Sequence, residues 1–184
     1  MTKALLLKAS VVALAFVFVV AASPARLADT KLVMTIAGKG KVEITLYTDK
    51  APKTCEHVIA LAEAKFYDGQ KFFNVMKSPK PFLVKLGDPT SRTKSSDDPE
   101  LGKTGSGKAI EHEDSSQTNV RGAVGLSTLP KDPNSGDSIF YISLAENRFL
   151  DGKYTVFGHV TSGMDVVDKV ERGDEVSSVT VVRG

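Results

Sequence analysis

The chain has 184 residues, of which 41% are hydrophobic and 25% charged, and its formal net charge is +2. That length and balance fit one globular domain with room for a sizeable core, and they exclude a disordered or fibrous chain. Two of the positive charges, Lys3 and Lys8, sit at the extreme N-terminus, so the remainder is close to neutral and points to no nucleic acid and no anionic membrane surface as partner.

Met1 to Lys8 carries those two lysines and no acid, and Ala9 to Ala25 then runs about 17 residues without a charge. The apolar run is rich in Val, Ala and Phe and ends in Ala21-Ala22-Ser23-Pro24-Ala25. A basic start, an apolar middle and a small-residue end predict a secretory signal over residues 1–25, removed after Ala22 or after Ala25. An uncleaved signal anchor is the alternative, because the run lies at the short limit for a membrane span. Either way the domain expected over residues 30–184 is exported, to a periplasmic or extracellular location, or tethered to the membrane by the leader. The single cysteine, Cys55, cannot close an internal disulfide, and it shares helical spacing with Val58, Ile59 and Ala62, so it reads as a buried hydrophobe.

After the leader, Lys31 to Ile36 alternates with Leu32, Met34 and Ile36 on one face, and Lys41 to Tyr47 alternates with Val42, Ile44 and Leu46. The intervening Ala37-Gly38-Lys39-Gly40 is a turn, so the pair predicts a β-hairpin. Asp49 and Pro52 open a helical pattern whose apolar stripe is Cys55, Val58, Ile59 and Ala62, with Lys53, Glu56 and Glu63 opposite. It stops before the turn signal Phe66-Tyr67-Asp68-Gly69. Short strands are predicted at Phe72 to Met76, Phe82 to Leu86, Ala123 to Ser127, Ile139 to Leu144 and Tyr154 to Val160, then a helix over Met164 to Glu171 and a closing strand over Val179 to Val182. The stretch between Asp88 and Gly122, rich in Ser, Gly, Lys and Asp, has no periodicity and reads as an irregular surface loop. Many short strands, two helices and no βαβ rhythm predict an antiparallel barrel, closed or nearly so.

Two tempting motifs are set aside. Gly102-Lys103-Thr104-Gly105-Ser106-Gly107-Lys108-Ala109 almost spells a phosphate-binding loop, but Ala109 stands where a magnesium-holding hydroxyl is required, and no apolar strand precedes it. His57, His112 and His159 lack metal-ligand spacing, and the acidic run Glu111-His112-Glu113-Asp114 reads as a solvated loop rather than a cation site.

The order of elements and several blocks together resemble the cyclophilins. Ile44 to Thr54 is similar to that family's second strand and first helix start, and Phe66-Tyr67-Asp68-Gly69 to the segment after the helix. Phe72-Phe73-Asn74-Val75-Met76 resembles its Phe-His-Arg-Val-Ile strand, and Phe82 to Pro89 its Phe-Met-Ile-Gln-Gly-Gly-Asp-Pro. Thr104-Gly105-Ser106-Gly107 resembles its glycine-rich loop. Arg121 to Val124, Asp132 to Ser135, Ser138 to Ile142, Phe149 to Val160 and Gly163 to Val167 follow in the family's order. The resemblance covers nearly everything after the leader and implies a mainly β fold: a closed antiparallel eight-stranded barrel with two capping helices.

What the resemblance implies about function divides in two. The family's apolar proline pocket is kept in kind at Phe82, Leu83, Tyr141, Leu150 and Tyr154, with Phe149 where many members carry tryptophan. The polar half is altered: Asn74 stands in place of the catalytic arginine, Lys85 in place of a glutamine, and Ile139 in place of a second glutamine that contacts substrate. Asn74 and Lys85 are therefore the expected catalytic residues, and the other seven the expected substrate-binding ones. Arg92 and Arg121 are the candidates to lend a missing guanidinium. The expected activity is peptidyl-prolyl cis-trans isomerisation that assists folding of exported proteins, at a reduced rate. The alternative is a module that binds Pro-containing segments with little or no turnover. No cofactor or metal is implied, and a monomer is expected.

Overall fold

In the computed structural model, which describes residues 30–184, the hairpin forms where its alternation places it. Strands β1 (Lys31–Ile36) and β2 (Gly40–Leu46) pair antiparallel with Leu32 opposite Ile44 and Met34 opposite Val42. Those inward side chains are buried, while Lys31, Val33 and Thr35 on the other face are only partly covered. The leader expected over residues 1–25 lies outside the described residues, and among those that are described no helix is long and apolar enough to cross a membrane.

Helix α1 (Pro52–Glu63) buries the predicted stripe of Cys55, Val58, Ile59 and Ala62. The Cys55 thiol donates to the Phe157 carbonyl at 3.4 Å, and burial pushes its pKa up to about 12, as suits an inert core group. Asp49 does not cap the helix. Glu113, from the distant acidic run, accepts from the Lys53 and Thr54 amides at 3.0 and 2.7 Å and from the Thr54 hydroxyl at 2.7 Å. A carboxylate there satisfies amides that have no partner within the helix and faces the positive end of its dipole. Glu111 of the same run pairs with Lys53 at 2.6 Å.

Strands β3 (Asn74–Met76), β4 (Leu83–Leu86), β5 (Ala123–Leu126), β6 (Phe140–Ser143), β7 (Val156–Ser162) and β8 (Val176–Val182) complete one antiparallel sheet in the order β3-β4-β6-β5-β7-β2-β1-β8. The sheet curls round a core containing Phe140, Phe157, Tyr67, Ile44 and Val84. Closure is the one correction to the expected architecture. The edge strands β3 and β8 are not paired, and the seam is spanned by an isolated bridge between Lys71 and Glu175, with the Val176 amide donating to Gln70 O at 2.8 Å. Only three residues long, β3 is too short to carry the ladder round, so the barrel is a curled sheet pinned through a short stretch of backbone hydrogen bonds between residues 69–72 and 173–176.

Helix α2 (Met164–Asp168) is shorter than expected, because Asp174 accepts from the Glu171 amide at 2.6 Å and turns the chain into β8, which starts at Val176. Three single-turn 3-10 helices, Pro89–Arg92, Pro133–Ser135 and Arg148–Leu150, had no sequence signal, being too short to show a period. The long loop from Asp88 to Gly122 is irregular as expected but not merely superficial: Ser115 and Asn119 are buried, and the Ile110 amide donates to Gly136 O at 2.8 Å.

Candidate active site

The strands on the β3-β4-β6-β5 side have two apolar faces. Val84, Leu86, Phe140, Ile142, Val124 and Leu126 point into the main core. Because successive side chains in a strand face opposite ways, Leu83, Lys85 and Tyr141 point outward, where Leu83, Tyr141 and Leu150 form a second buried cluster flanked by Met76, Phe82 and Tyr154. A cavity of about 90 Å³ opens among these residues, lined by Met76, Phe82, Leu83, Lys85, Tyr141, Leu150 and Tyr154.

Register explains the arrangement. Asn74 lies directly opposite Lys85, Lys85 opposite Tyr141, and Tyr141 opposite Gly125, so one row crosses four strands on the outer face. Gly125 is required in that row: a Cβ there would stand 2.2 Å from the Tyr141 ring. The Tyr141 ring thus packs directly against Gly125, where the β5–β7 register shifts between Val124 and Gly125, and it meets Tyr154 edge to face at 5.9 Å.

A hydrogen-bond chain, buried at Tyr141 and Asn119, holds the cavity's outer wall. The Tyr141 hydroxyl donates to Asn119 Oδ1 at 2.6 Å, and the Asn119 backbone and side-chain N–H groups both donate to Asp151 Oδ1, at 2.7 and 3.0 Å. The Asn147 amide donates to Asn119 O at 2.7 Å, and its side chain to Phe82 O at 3.0 Å. Burial pushes the Tyr141 phenol well above its ordinary range, whereas the two Asn119 donors hold the Asp151 carboxyl below the usual carboxylate range. Phe149 stacks on Phe82 at 5.7 Å and stays 61% exposed, which makes it a lip of the cavity rather than part of its lining.

Among the described residues, Lys85 is the only charged side chain lining the cavity. Its ammonium donates to the Ser127 hydroxyl at 3.1 Å, and burial lowers its pKa below the ordinary lysine range. Ser127 also lines a larger neighbouring recess of about 360 Å³, formed by the 102–109 loop, Leu129, Asp137 and Ile139. Of the sequence candidates, then, Phe82, Leu83, Lys85, Tyr141, Leu150 and Tyr154 share one cavity. Asn74 borders it through its pairing with Lys85, and Ile139 belongs to the recess next door. Neither arginine candidate reaches the cavity. Arg92 donates to the Phe66, Asp68 and Pro89 carbonyls, and Arg121 to Leu144 O and Asp168.

Met76, Ser127, Gly125, Asn119 and Asp151 were not singled out from sequence. Met76 was available from the alternation that starts at Asn74; the rest are linked through pairings between distant segments that no local pattern encodes. The glycine-rich loop has its own use for its amides. Gly102 N donates to the buried Asp88 at 2.7 Å and Gly107 N to Asp137 at 2.8 Å, with His57 on the other side of Asp137 at 3.2 Å. Internal carboxylates thus occupy the positions where a phosphate-binding loop would hold its ligand.

The family model described as cyclophilin type peptidyl-prolyl cis-trans isomerase/CLD matches residues 31–183. The peptidyl-prolyl cis-trans isomerase ppi1 of Schizosaccharomyces pombe is 37% identical over 131 residues, covering 71% of this chain and 79% of that protein. The human peptidyl-prolyl cis-trans isomerase-like 3 is 35% identical over 135 residues, covering 72% and 77%. In three dimensions the chain is similar to a crystal structure of a Cryptosporidium parvum cyclophilin type peptidyl-prolyl cis-trans isomerase. There the TM-score is 0.69 at 22% identity, over 84% of this chain and 99% of that one, a likeness of fold.

Proposed function

The chain belongs to the cyclophilin-type peptidyl-prolyl cis-trans isomerase family, and from that membership we propose that it binds X-Pro segments in the outer-face cavity beside Lys85, turns them over at a reduced rate, and serves exported polypeptides. Rotation about a peptide bond is opposed by about 18–20 kcal/mol, because the nitrogen lone pair is delocalised into the carbonyl. For X-Pro the isomers lie close in energy yet exchange over tens to hundreds of seconds. No bond need be made or broken. The protein has to hold the ring and favour the twisted amide over the planar one.

Phe82, Leu83, Leu150 and the two tyrosines supply an apolar slot for the pyrrolidine ring, and Phe149 extends it outward. The polar residues do not simply delete the family's arrangement. An arginine and a glutamine across the β3–β4 pair carry one positive charge; Asn74 and Lys85 carry one as well, on the opposite strand. The charge has crossed the ladder. Lysine lacks the planar fork of a guanidinium, so it cannot brace the substrate amide at two points. A neutral donor at Asn74 in place of a charged one weakens transition-state stabilisation by about 1–2 kcal/mol, or roughly 5- to 30-fold in rate.

The observation that carries the proposal is a single lysine in an otherwise apolar lining. Exchange of acetyl-Ala-Pro-amide followed by NMR, with and without the protein, tests it. Faster exchange with shifts at Leu83, Tyr141 and Leu150 is expected. Binding with no acceleration would instead favour a module that captures Pro-containing segments, a reading motivated by Asn74 bordering the cavity rather than lining it. Neither effect would remove the cavity as the site. Export rests on the composition of the leader, and N-terminal sequencing of the protein recovered from outside the cytoplasm checks it: a start at Ser23 or Arg26 fits a cleaved signal, and Met1 on a membrane fraction fits an anchor.

A further inference from the structure

Lys85 differs from the other cations of the domain that the structure places beside a carboxylate, such as Lys31 with Glu43 and Arg121 with Asp168. Among the described residues its ammonium meets only the Ser127 hydroxyl, and burial disfavours its charged form. The acidic groups in the surrounding segments are committed elsewhere. Asp137 and Asp132, in the recess that Ser127 also lines, are held by Gly107 and His57 and by the Asn134 amide, Asp151 by Asn119, Glu146 by Arg148, and Glu113 by the start of α1. The cation therefore stands at the wall of an apolar cavity with no counter-charge of its own.

Building on the cavity as the proline site, we propose that it selects X-Pro segments bearing a carboxylate next to the proline ring, with the Lys85 ammonium as that carboxylate's partner. The carboxylate is either the side chain of an adjoining Asp or Glu or the free terminus of a C-terminal proline. A neutral peptide that covers the cavity strips water from the ammonium and returns nothing to it, which is unfavourable for a charge. A carboxylate returns a charge-assisted hydrogen bond. Lys85 lines the same small cavity as the ring-binding residues, and one residue of extended chain spans only about 3.3–3.6 Å, so the carboxylate must lie within a residue or so of the proline.

The test uses the full chain and six acetylated peptides at 0.15 M salt. Acetyl-Ala-Pro-amide is the neutral reference, against acetyl-Ala-Pro with a free carboxylate, acetyl-Asp-Pro-amide, acetyl-Ala-Pro-Asp-amide, and the Asn counterpart of each aspartyl peptide. Dissociation constants come from NMR titration and turnover from exchange spectroscopy. At least one carboxylate peptide is expected to bind about tenfold more tightly than its neutral counterpart, equivalent to about 1.4 kcal/mol. Which of the three does so identifies the source of the carboxylate. In both Lys85→Gln and Lys85→Met that ratio is expected to fall to near one. Equal affinities with acetyl-Ala-Pro-amide still isomerised would overturn the selectivity and leave the proline site standing. A ratio that survives both variants would assign it to another group and overturn the role of Lys85. No binding and no exchange for any peptide would overturn the proline site and the selectivity together.

Discussion

Strands β1 and β2 and strands β4 and β6 are built from similar residues but use their faces differently. In the hairpin one face is buried and the other half open, which is the ordinary condition of a sheet edge packed on one core. In β5 and β6 every residue is buried, and in β4 all but Lys85. Among the described residues no second sheet covers that outer face. The cover is loop, held by Asn119, Asn147 and Asp151, and where the cover stops short a cavity remains. A sheet face buried under loops rather than under another regular layer is where this fold has room for a ligand.

The largest test of that contrast is Gly125→Leu. The new side chain has to displace the Tyr141 ring, which then no longer forms the cavity floor. Turnover is expected to fall to background, with a stability loss of about 1–3 kcal/mol from overpacking. Val33→Thr, on the open face of the hairpin, is expected to shift stability by no more than about 0.5 kcal/mol. Thermal melts and NMR exchange on the two variants check both halves. Comparable losses would mean that the two faces are not different in kind.

Next in size is the proposed displacement of the site's positive charge from β3 to β4. Asn74→Arg alone restores a guanidinium but sets it directly opposite Lys85, and like charges opposed across a ladder repel. Asn74→Arg combined with Lys85→Gln removes that repulsion. The double variant is expected to exceed the parent by roughly 5- to 30-fold in kcat/KM and to exceed the sum of the single effects, as coupled neighbours do. Additive or absent gains would show that Asn74 does not stand at the arginine's position in the working site.

The same contrast governs how far the sequence could be read. Alternation is legible where Lys31 and Thr35 mark the outer face of β1 and Glu43 and Thr45 that of β2, and both strands lie within a residue or so of where it put them. Phe140-Tyr141-Ile142-Ser143 has no polar face to mark its period, so its strand was predictable only as an apolar run. That Tyr141 faces outward was implied by family resemblance alone. Asn119 and Asp151 are 32 residues apart, and Glu113 caps a helix 59 residues before it, so neither pairing leaves a local trace. The failure to close at β3 and β8 is equally non-local, since it depends on how far round the curl carries the edge strands.

A smaller effect is expected from Asn119→Ala, which removes the acceptor of the Tyr141 hydroxyl and the side-chain donor to Asp151. The backbone N–H remains, so part of the link to Asp151 persists. The wall from Asn147 to Tyr154 should loosen, raising KM by a few fold more than it lowers kcat. Tyr141→Phe separates the two roles, because it keeps the ring and leaves Asn119 Oδ1 without its hydroxyl partner, at a cost of about 1–3 kcal/mol in stability. An unchanged KM in Asn119→Ala would reduce the hydrogen-bond chain to a purely structural link.

The finest discrimination comes from pH, because Lys85 predicts two opposite trends over one window. Its folded pKa lies below that of an unfolded lysine, about 10.4, since burial disfavours the charged form. Between those two values the unfolded chain binds more protons than the folded one, so stability contributed by this group rises with pH and is lost as pH falls through the folded value. Carboxylate affinity should move the other way, falling as the ammonium loses its proton. Of the tyrosines facing Lys85, Tyr141 keeps its proton there, because burial raises its pKa, and Tyr154 is common to parent and variant. Lys85→Gln cancels the exposed lysines by subtraction. The difference in thermal stability, Lys85→Gln minus parent, should therefore shrink from neutral pH into the alkaline range, while the parent's preference for a carboxylate beside proline shrinks with it. Parallel loss of the two differences ties selectivity to the proton on Lys85. A preference that persists after the stability difference has vanished would place the recognising charge on another residue.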